Sequence, residues 1–331
     1  MLRILLAPDL RCVLCSPVRK LVGWDMKGRG MMIGTEWAFD RYESVRATLP
    51  EAEFPLTSRS GHDLGDTVDD YDAYILDAFG VLNRGETAIE GAVERMAALR
   101  ALGKRLVVLT NAASYTRAEV LAKYHRLGFD FDASEVVSSR DVAFAALPEL
   151  PAGQVWAAAA AEGDDFSDAP AGARIEHLSD DPDLLRNAGG FLLLSSARWS
   201  AADTTALTEA LLDNPRPLIV ANPDLVAPRE DGLSVEPGLI AHEIIERTGG
   251  QVAFFGKPFG NAFEIALARL PGVSRDRVAM VGDTLHTDVL GGAAAGIGSV
   301  LITDHGLFSG QDVAPYITRC AIRPSWIVAT T

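Results

Sequence analysis

The residues that could do chemistry fall at four separated points. In "YDAYILDAFGVLNRG" a short apolar run, Ala73 to Leu76, delivers Asp77 into a glycine-containing turn. Thr110 and Asn111 end "KRLVVLTN", Lys257 follows a glycine in "FFGKP", and Asp283 and Asp288 stand in "VGDTLHTD". A carboxylate at a strand end can be a nucleophile, a base or a metal ligand, and many such aspartates only cap a turn. The set is more specific than Asp77 alone. Asp283 and Asp288 add enough hard oxygens to hold Mg²⁺ together with waters and a substrate phosphate. Thr110 offers a hydroxyl donor, and Lys257 a fixed positive charge that can keep Asp77 ionised and neutralise a phosphoryl oxygen. A carboxylate nucleophile, a hydroxyl, a lysine and a Mg²⁺ pocket describe phosphoryl transfer through an aspartyl-phosphate. Phe79 stands two residues after Asp77, where such chemistry would want a second carboxylate.

These residues need a scaffold that brings strand ends together, and the pattern from Asp72 onward supplies one. "ETAIEGAVERMAALRALG" places Ile89, Val93, Met96 and Leu99 at helical spacing and stops at Gly103. The β-branched "KRLVVLTN" reads as a buried strand. "YTRAEVLAKYHRLG" opens with a capping box, Thr116 to Glu119, and ends at Gly128. Strands alternating with helices predict a parallel sheet with helices on its faces. Between about 140 and 250 a separate rhythm appears: strand "GGFLLLSSA", helix "SAADTTALTEALLD", strand "RPLIVANPD", with the small and acidic "AAAAAEGDDFSDAPAGA" as a loop. The expected organisation is an N-terminal extension over 1–60, a doubly wound α/β core over 61–139 and 251–331, and an inserted α/β cap over 140–250. The parent pattern resumes at "QVAFFGKPFGNAFEIALARL", then strand Val278 to Val281, a helix with Asp288 in its first turns, and strand Ser299 to Ile302. In open α/β sheets the site lies outside the carboxyl ends of the strands, so all four points can converge there.

The ordered set "LDAFGVL", "VVLTN", "FGKP" and "VGDTLHTD" resembles the four motifs of the haloacid dehalogenase (HAD) superfamily. The long insertion before Lys257 resembles its C2-type cap. With "GVL" and the "ANPD" at 221–224, the chain resembles subfamily IIA, the NagD-like and 4-nitrophenylphosphatase-like enzymes, over about residues 70–325. The resemblance implies Asp77 as nucleophile, Thr110 as phosphate-binding hydroxyl and Lys257 as the third-motif lysine. Asp283 and Asp288 would hold Mg²⁺ with Asp77 and the backbone carbonyl of Phe79, which does not depend on the side chain. What it cannot supply is the general acid. Phosphatases of the superfamily use the second aspartate of the first motif to protonate the leaving alkoxide and then to activate water; Phe79 can do neither. Such help is worth roughly 10² to 10⁴ in rate. Three readings follow: a phosphatase whose acid is the substrate, a water, or a residue such as Asp224 or His286; a non-catalytic or very weakly active binder of a phosphorylated ligand; and a dehalogenase-like hydrolase, disfavoured by the intact acidic motif.

Asn111, Arg198, Asn222 and Asp224 are the candidate substrate contacts. Asn222 and Asp224 sit where the resemblance puts a cap segment facing the core, although an Asx-type turn around Pro223 explains them as well. Arg198 follows a strand and can reach a substrate anion or solvent. Trp199 either stacks on a ring or packs within the cap, His286 reads as polarity at a turn, and His125 and His242 receive no role.

Composition bounds the rest. With 331 residues, 48% hydrophobic and 23% charged, the chain suits a soluble two-domain protein. A formal charge of −15 argues against a nucleic-acid surface, which needs a concentrated basic patch. No apolar run approaches the roughly 18 residues of a membrane span. Three cysteines, Cys12, Cys15 and Cys320, make no disulfide framework, so a reducing, cytoplasmic setting is expected. Cys12 and Cys15 form a C-x-x-C with no second ligand pair. The first ~35 residues read as an upstream extension, with Met26, Met31 and Met32 as alternative starts. The partner expected is a small phosphorylated metabolite. The resemblance supplies the candidates (sugar phosphates, phosphoglycolate, nucleotides, pyridoxal phosphate) and allows a homodimer through the cap.

Overall fold

A computed structural model describes residues 34–229 and 232–331. The C-x-x-C of Cys12 and Cys15 and the alternative starts lie outside the described residues. Seven parallel strands form the main sheet, in the order Arg59–Asp63, Trp326–Thr330, Gly298–Ile302, Val278–Gly282, Ala73–Leu76, Arg105–Thr110, Val136–Ser138. The strand carrying Asp77 is central, and all four of its residues are buried, as helices on both faces require. Pairing of Val281 with Leu76 and of Leu76 with Val108 fixes the register, so Asp77, Thr110 and Asp283 leave the sheet at one edge.

A second sheet of five parallel strands forms the inserted unit, in the order Ala253–Phe254, Leu218–Val220, Gly190–Leu193, Trp156–Ala159, Ile175–His177. Two sequence expectations change here. Ala157 to Ala159 are strand rather than loop, because three alanines flank the neighbouring strand where larger side chains already fill both faces. Ala253–Phe254 belongs to this second sheet and not to the core: it pairs with Leu218–Val220, and Phe254 stacks between His242 and Phe259. Sheet membership of a two-residue strand is set by a long-range partner, which periodicity does not encode.

Helix Arg117–Arg126 starts as its sequence predicts, with the Thr116–Glu119 capping box formed. The helix expected from residue 86 is shorter, Ala92–Ala101. Gly91 takes a φ of 80°, so Ile89 packs ahead of the helix while Met96 and Leu99 face the core.

Within the expected N-terminal extension, residues 35–44 form a helix that packs on both units. Helix Thr35–Ser44 buries Phe39 and Tyr42 in a cluster with Leu225 and Leu239 of the cap and Leu285 and Val289 of the core. Tyr42 Oη accepts from the Leu225 amide at 3.1 Å, and Arg41 pairs with Glu246 of the cap at 3.1 Å. The acidic stretch of the cap is likewise tied down. Arg140, fully buried, pairs with Asp164 (2.5 Å) and Asp168 (2.8 Å), fixing that loop to the core-side helix Ser139–Ala145. Among the described residues no helix is long and apolar enough to cross a membrane.

Candidate active site

Asp77 follows the last residue of its strand, with its amide held by Val281 O at 2.8 Å. Asp77 Oδ1 accepts from the Ala78 amide (2.7 Å) and from Lys257 Nζ (2.5 Å), and Oδ2 has no hydrogen-bond partner among the described residues. Lys257 Nζ also donates to Asp288 Oδ1 at 2.7 Å. One buried ammonium therefore spans the carboxylate of the second strand and that of the last motif.

Asp288 is placed by an irregularity. The expected helix begins with a π-helical turn, Leu285–Val289, before the α-helix Leu290–Ala294. The amides of Asp288 and Val289 both reach Thr284 O, at 3.1 and 3.3 Å. That extra residue turns Asp288 back toward Gly282, where an added Cβ would lie 2.0 Å from Asp288 Cγ, and lets Oδ2 accept from the Thr284 amide at 3.0 Å. Turns of this kind recur at functional sites. Asp283 is fixed by Thr284 Oγ1 (2.8 Å) and by the Leu307 amide (2.8 Å). The chain at Gly80, φ 75°, passes so near that a Cβ there would sit 2.7 Å from Asp283 Cβ, and only glycine tolerates both conditions. The turn bearing the Phe79 carbonyl thus lies against Asp283.

Carboxylate oxygens of Asp77, Asp283 and Asp288 all fall within 4.8 Å of one another. At an effective dielectric of about 20, each such pair repels by at least about 3 kcal/mol. Lys257 pairs with Asp77 and Asp288 but not with Asp283, so the pocket carries excess negative charge that a divalent cation would balance. Burial pushes the Asp77 carboxyl well above its usual range, Lys257 opposes this, and Asp288, Asp283 and Asp224 add to it. Asp283 is pushed up to about 6 by burial and then by Asp288. Lys257 is raised, because the attraction of Asp288, Asp77 and Asp224 outweighs its burial. The donor set, all oxygen and two of three groups strained by charge, fits Mg²⁺ or a similar hard cation.

Thr110 is buried at the end of its strand, with Oγ1 accepting from the Ala112 amide at 3.1 Å. Asn111 is spent on the framework instead of being free for substrate. Its Nδ2 donates to Lys257 O (2.9 Å) and Asp224 Oδ1 (2.8 Å), and its Oδ1 accepts from the Lys257 amide (2.8 Å). It ties core, cap and the lysine loop in one knot and so positions Lys257. Asp224 reaches the cluster through this contact, and burial pushes its carboxyl up to about 7. Asn222 does not: Oδ1 accepts from the Asp224 amide (3.1 Å) and Nδ2 donates to Glu236 (3.0 Å), the Asx turn around Pro223. Arg198 is exposed, with no hydrogen bond or ion pair to the described residues, and Trp199 packs within the cap, its Nε1 bonded to Thr204.

His286 faces away from the carboxylates. Its Nε2 lies 2.6 Å from Glu43 Oε1 and its ring stacks on Tyr42, so it anchors the first helix and is not an acid for the site. His242 is buried against Phe254, and burial holds its imidazole down to about 4.

Sequence reasoning missed two cations. Lys123 and Arg229 both lie over the Phe79 ring, Nζ at 5.0 Å and Cζ at 5.1 Å from its centroid. Lys123 was visible in principle, since Val120, Lys123 and Tyr124 share the buried face of one helix. Nothing local marks Arg229, which comes from the cap strand Val226–Arg229.

Two family models match the chain: a haloacid dehalogenase-like hydrolase model over residues 74–167 and a HAD-hydrolase-like model over 254–330. The human glycerol-3-phosphate phosphatase is 33% identical over 260 residues, covering 70% of this chain and 78% of that protein. A possible sugar phosphatase of the HAD superfamily from Cytophaga hutchinsonii superposes with a TM-score of 0.73 at 25% identity, covering 83% of this chain and 98% of that one. The glycerol phosphate phosphatase of Mycobacterium tuberculosis, solved in complex with magnesium, superposes with a TM-score of 0.61 at 24% identity, covering 80% and 76%. With its motifs in order on a parallel core and a large insert between the second and third, the chain belongs to the haloacid dehalogenase superfamily, subfamily IIA, and is a hydrolase of that group.

Proposed function

We propose that the protein is a Mg²⁺-dependent phosphatase of small phosphomonoesters that works through an aspartyl-phosphate at Asp77. The observation that carries this reading is the cluster of Asp77, Asp283 and Asp288, in which Asp77 and Asp288 share the ammonium of Lys257. Mg²⁺, held by these carboxylates and the Phe79 carbonyl, would supply positive charge to the transferring phosphoryl oxygens. Lys257 keeps Oδ1 of Asp77 occupied, so Oδ2 is the oxygen that attacks phosphorus. Thr110 donates its hydroxyl to a phosphoryl oxygen, and Asn111 keeps the lysine loop in register. As the Asp77–phosphorus bond forms, the ester oxygen leaves with its bonding pair and must find a proton. The side chain at position 79 has none. The proton comes from water, from the substrate, or from Asp224, whose raised carboxyl is partly protonated near neutrality. Leaving groups of low pKa depend least on this step, so aryl and acyl phosphates should outrun simple alkyl phosphates. The names of the relatives, glycerol-3-phosphate and acid sugar phosphatases, support a small phosphorylated metabolite as the substrate class.

Phosphate release from 4-nitrophenyl phosphate with Mg²⁺, beside Asp77→Asn and a chelated sample, tests the reading. Turnover that needs both Asp77 and the metal supports it. Phe79 favours one rival, a binder without catalysis: metal-dependent ligand binding with no release from any ester would establish that instead. Chloride release from a haloacid without metal would point to a dehalogenase, which the intact acidic pair disfavours.

A further inference from the structure

Phe79 does more than omit an acid. Its ring is partly exposed and forms one wall of a pocket that also contains Thr110, Ala112, Tyr115 and Lys123. The pocket is small, about 10 Å³, and Ala78, Phe79 and Thr110 in its lining set it beside the carboxylate cluster.

Two cations from different domains flank the Phe79 ring, Lys123 as part of the pocket's lining and Arg229 from the cap. Lys123 rises from the core helix Arg117–Arg126, its side chain almost fully buried, with Nζ 5.0 Å from the Phe79 ring and 5.2 Å from the Tyr115 ring. It donates to Glu86 Oε1 (2.7 Å) and Gly85 O (3.1 Å), two of the three hydrogens an ammonium carries. Arg229 reaches down from the cap. It donates through Nε to Ser234 Oγ and through one terminal nitrogen to Glu236 Oε1, both at 2.9 Å, and its side chain remains 41% exposed. A carboxylate at position 79 would sit between these cations as an internal counter-ion. Phenylalanine cannot, so among the described residues Lys123 is paired with Glu86 and Arg229 with Glu236, and no carboxylate bridges the two cations.

We propose that Lys123 and Arg229 select phosphate esters whose alcohol part carries a second anionic group, a carboxylate or a further phosphate, with Phe79 and Tyr115 as the apolar walls of that subsite. This rests on the phosphatase reading for its catalytic test but not for its binding test. A charge-assisted hydrogen bond to a planar carboxylate or to phosphate is the strongest polar contact such a pocket can make. The cap arginine makes the subsite complete only when cap and core are together, as they are here.

The test is a matched pair, 3-phosphoglycerate against glycerol 3-phosphate, which differ by a carboxylate in place of a hydroxymethyl group. A second pair, fructose 1,6-bisphosphate against fructose 6-phosphate, separates a second phosphate from a carboxylate. The full chain with Mg²⁺ should show a kcat/KM ratio of about tenfold or more in favour of the anionic member of at least one pair. Lys123→Met and Arg229→Gln should each bring that ratio toward one, mainly through KM, whatever happens to the absolute rates. Lys123→Met removes a buried partner of Glu86 and can cost folding, whereas Arg229→Gln lies on the half-exposed cap hairpin and keeps the test decisive. The same pairs are compared by Mg²⁺-dependent thermal shift with Asp77→Asn, which reads binding without turnover. Equal ratios and equal shifts for both members, or a preference for the neutral one, overturn the proposal. If 4-nitrophenyl phosphate is also not turned over, the phosphatase reading fails separately, and the binding comparison still decides the subsite.

Discussion

Replacing Phe79 by aspartate restores the side chain that phosphatase chemistry would use, and the structure limits how much that restores. In an ordinary setting a general acid contributes roughly 10² to 10⁴ in rate. Here the introduced carboxyl would lie near Lys123 Nζ, 5.0 Å from the present ring centre, and near Arg229 Cζ at 5.1 Å. At an effective dielectric of about 20, a charge at about 5 Å favours the ionised carboxylate by about 3 kcal/mol, or about two pKa units. Glu86 already neutralises part of Lys123, and Arg229 is partly solvated, so a net depression of about one unit from an ordinary value near 4 is expected. The new group is then almost wholly ionised at pH 7, when protonating the leaving oxygen requires the acid form. The gain in kcat/KM for an alkyl phosphate, which covers steps up to the aspartyl-phosphate, should therefore be small at neutrality, about twofold at most, because only about 1 in 10⁴ of these groups is protonated. It should grow as the pH falls toward 5. The assay is phosphate release from glycerol 3-phosphate over pH 5 to 8, with 4-nitrophenyl phosphate as the control whose leaving group needs no proton. A gain of about a thousandfold that is flat across this range would refute the two-cation argument. No gain at any pH, with aryl phosphate turnover intact, would refute the view that the acid is what Phe79 removes.

Other outcomes follow from the same geometry. Asp224→Asn should cut alkyl phosphate hydrolysis far more than aryl phosphate hydrolysis if that carboxyl supplies the proton, and equal losses would restrict it to holding Asn111. Without metal, Asp283 has its carboxyl raised to about 6 above an unfolded value near 4, so the native state binds the extra proton. Its contribution to stability falls as pH rises from about 4 through 6. His242, depressed to about 4, slopes the other way over that window. The difference between melting curves with and without Mg²⁺ isolates the acidic cluster, and it should widen with pH; saturation at about a hundred times Kd adds about 2.7 kcal/mol. Arg140→Met strands Asp164 and Asp168 against the core-side helix and should destabilise by about 3–5 kcal/mol in denaturant titration. Glu43→Ala leaves the buried His286 ring nitrogen unpaired and should cost about 1–3 kcal/mol, with earlier proteolysis near residues 34–45.

The sequence by itself determined a good deal. Apolar runs ending in Asp77, Thr110 and Asp283, separated by helical periodicity, were enough for a parallel α/β sheet with those residues on one edge, because strand length, helix spacing and crossover handedness are local or nearly local properties. The Thr116–Glu119 capping box was legible for the same reason: both partners lie within one turn. What only the tertiary structure decided depends on partners far apart in the chain. That Asn111 is consumed by Asp224 and Lys257, that Asn222 serves its own turn, and that His286 belongs to Glu43 are contacts across 146, 113 and 243 residues or within a turn whose role two readings shared. The π-helical turn that aims Asp288 is a one-residue shift no periodicity resolves. The meeting of Lys123 and Arg229 over Phe79 needed cap and core to close on each other. Covalent order marked where the carboxylates lie. Packing between domains decided which side chains remain free to meet a ligand.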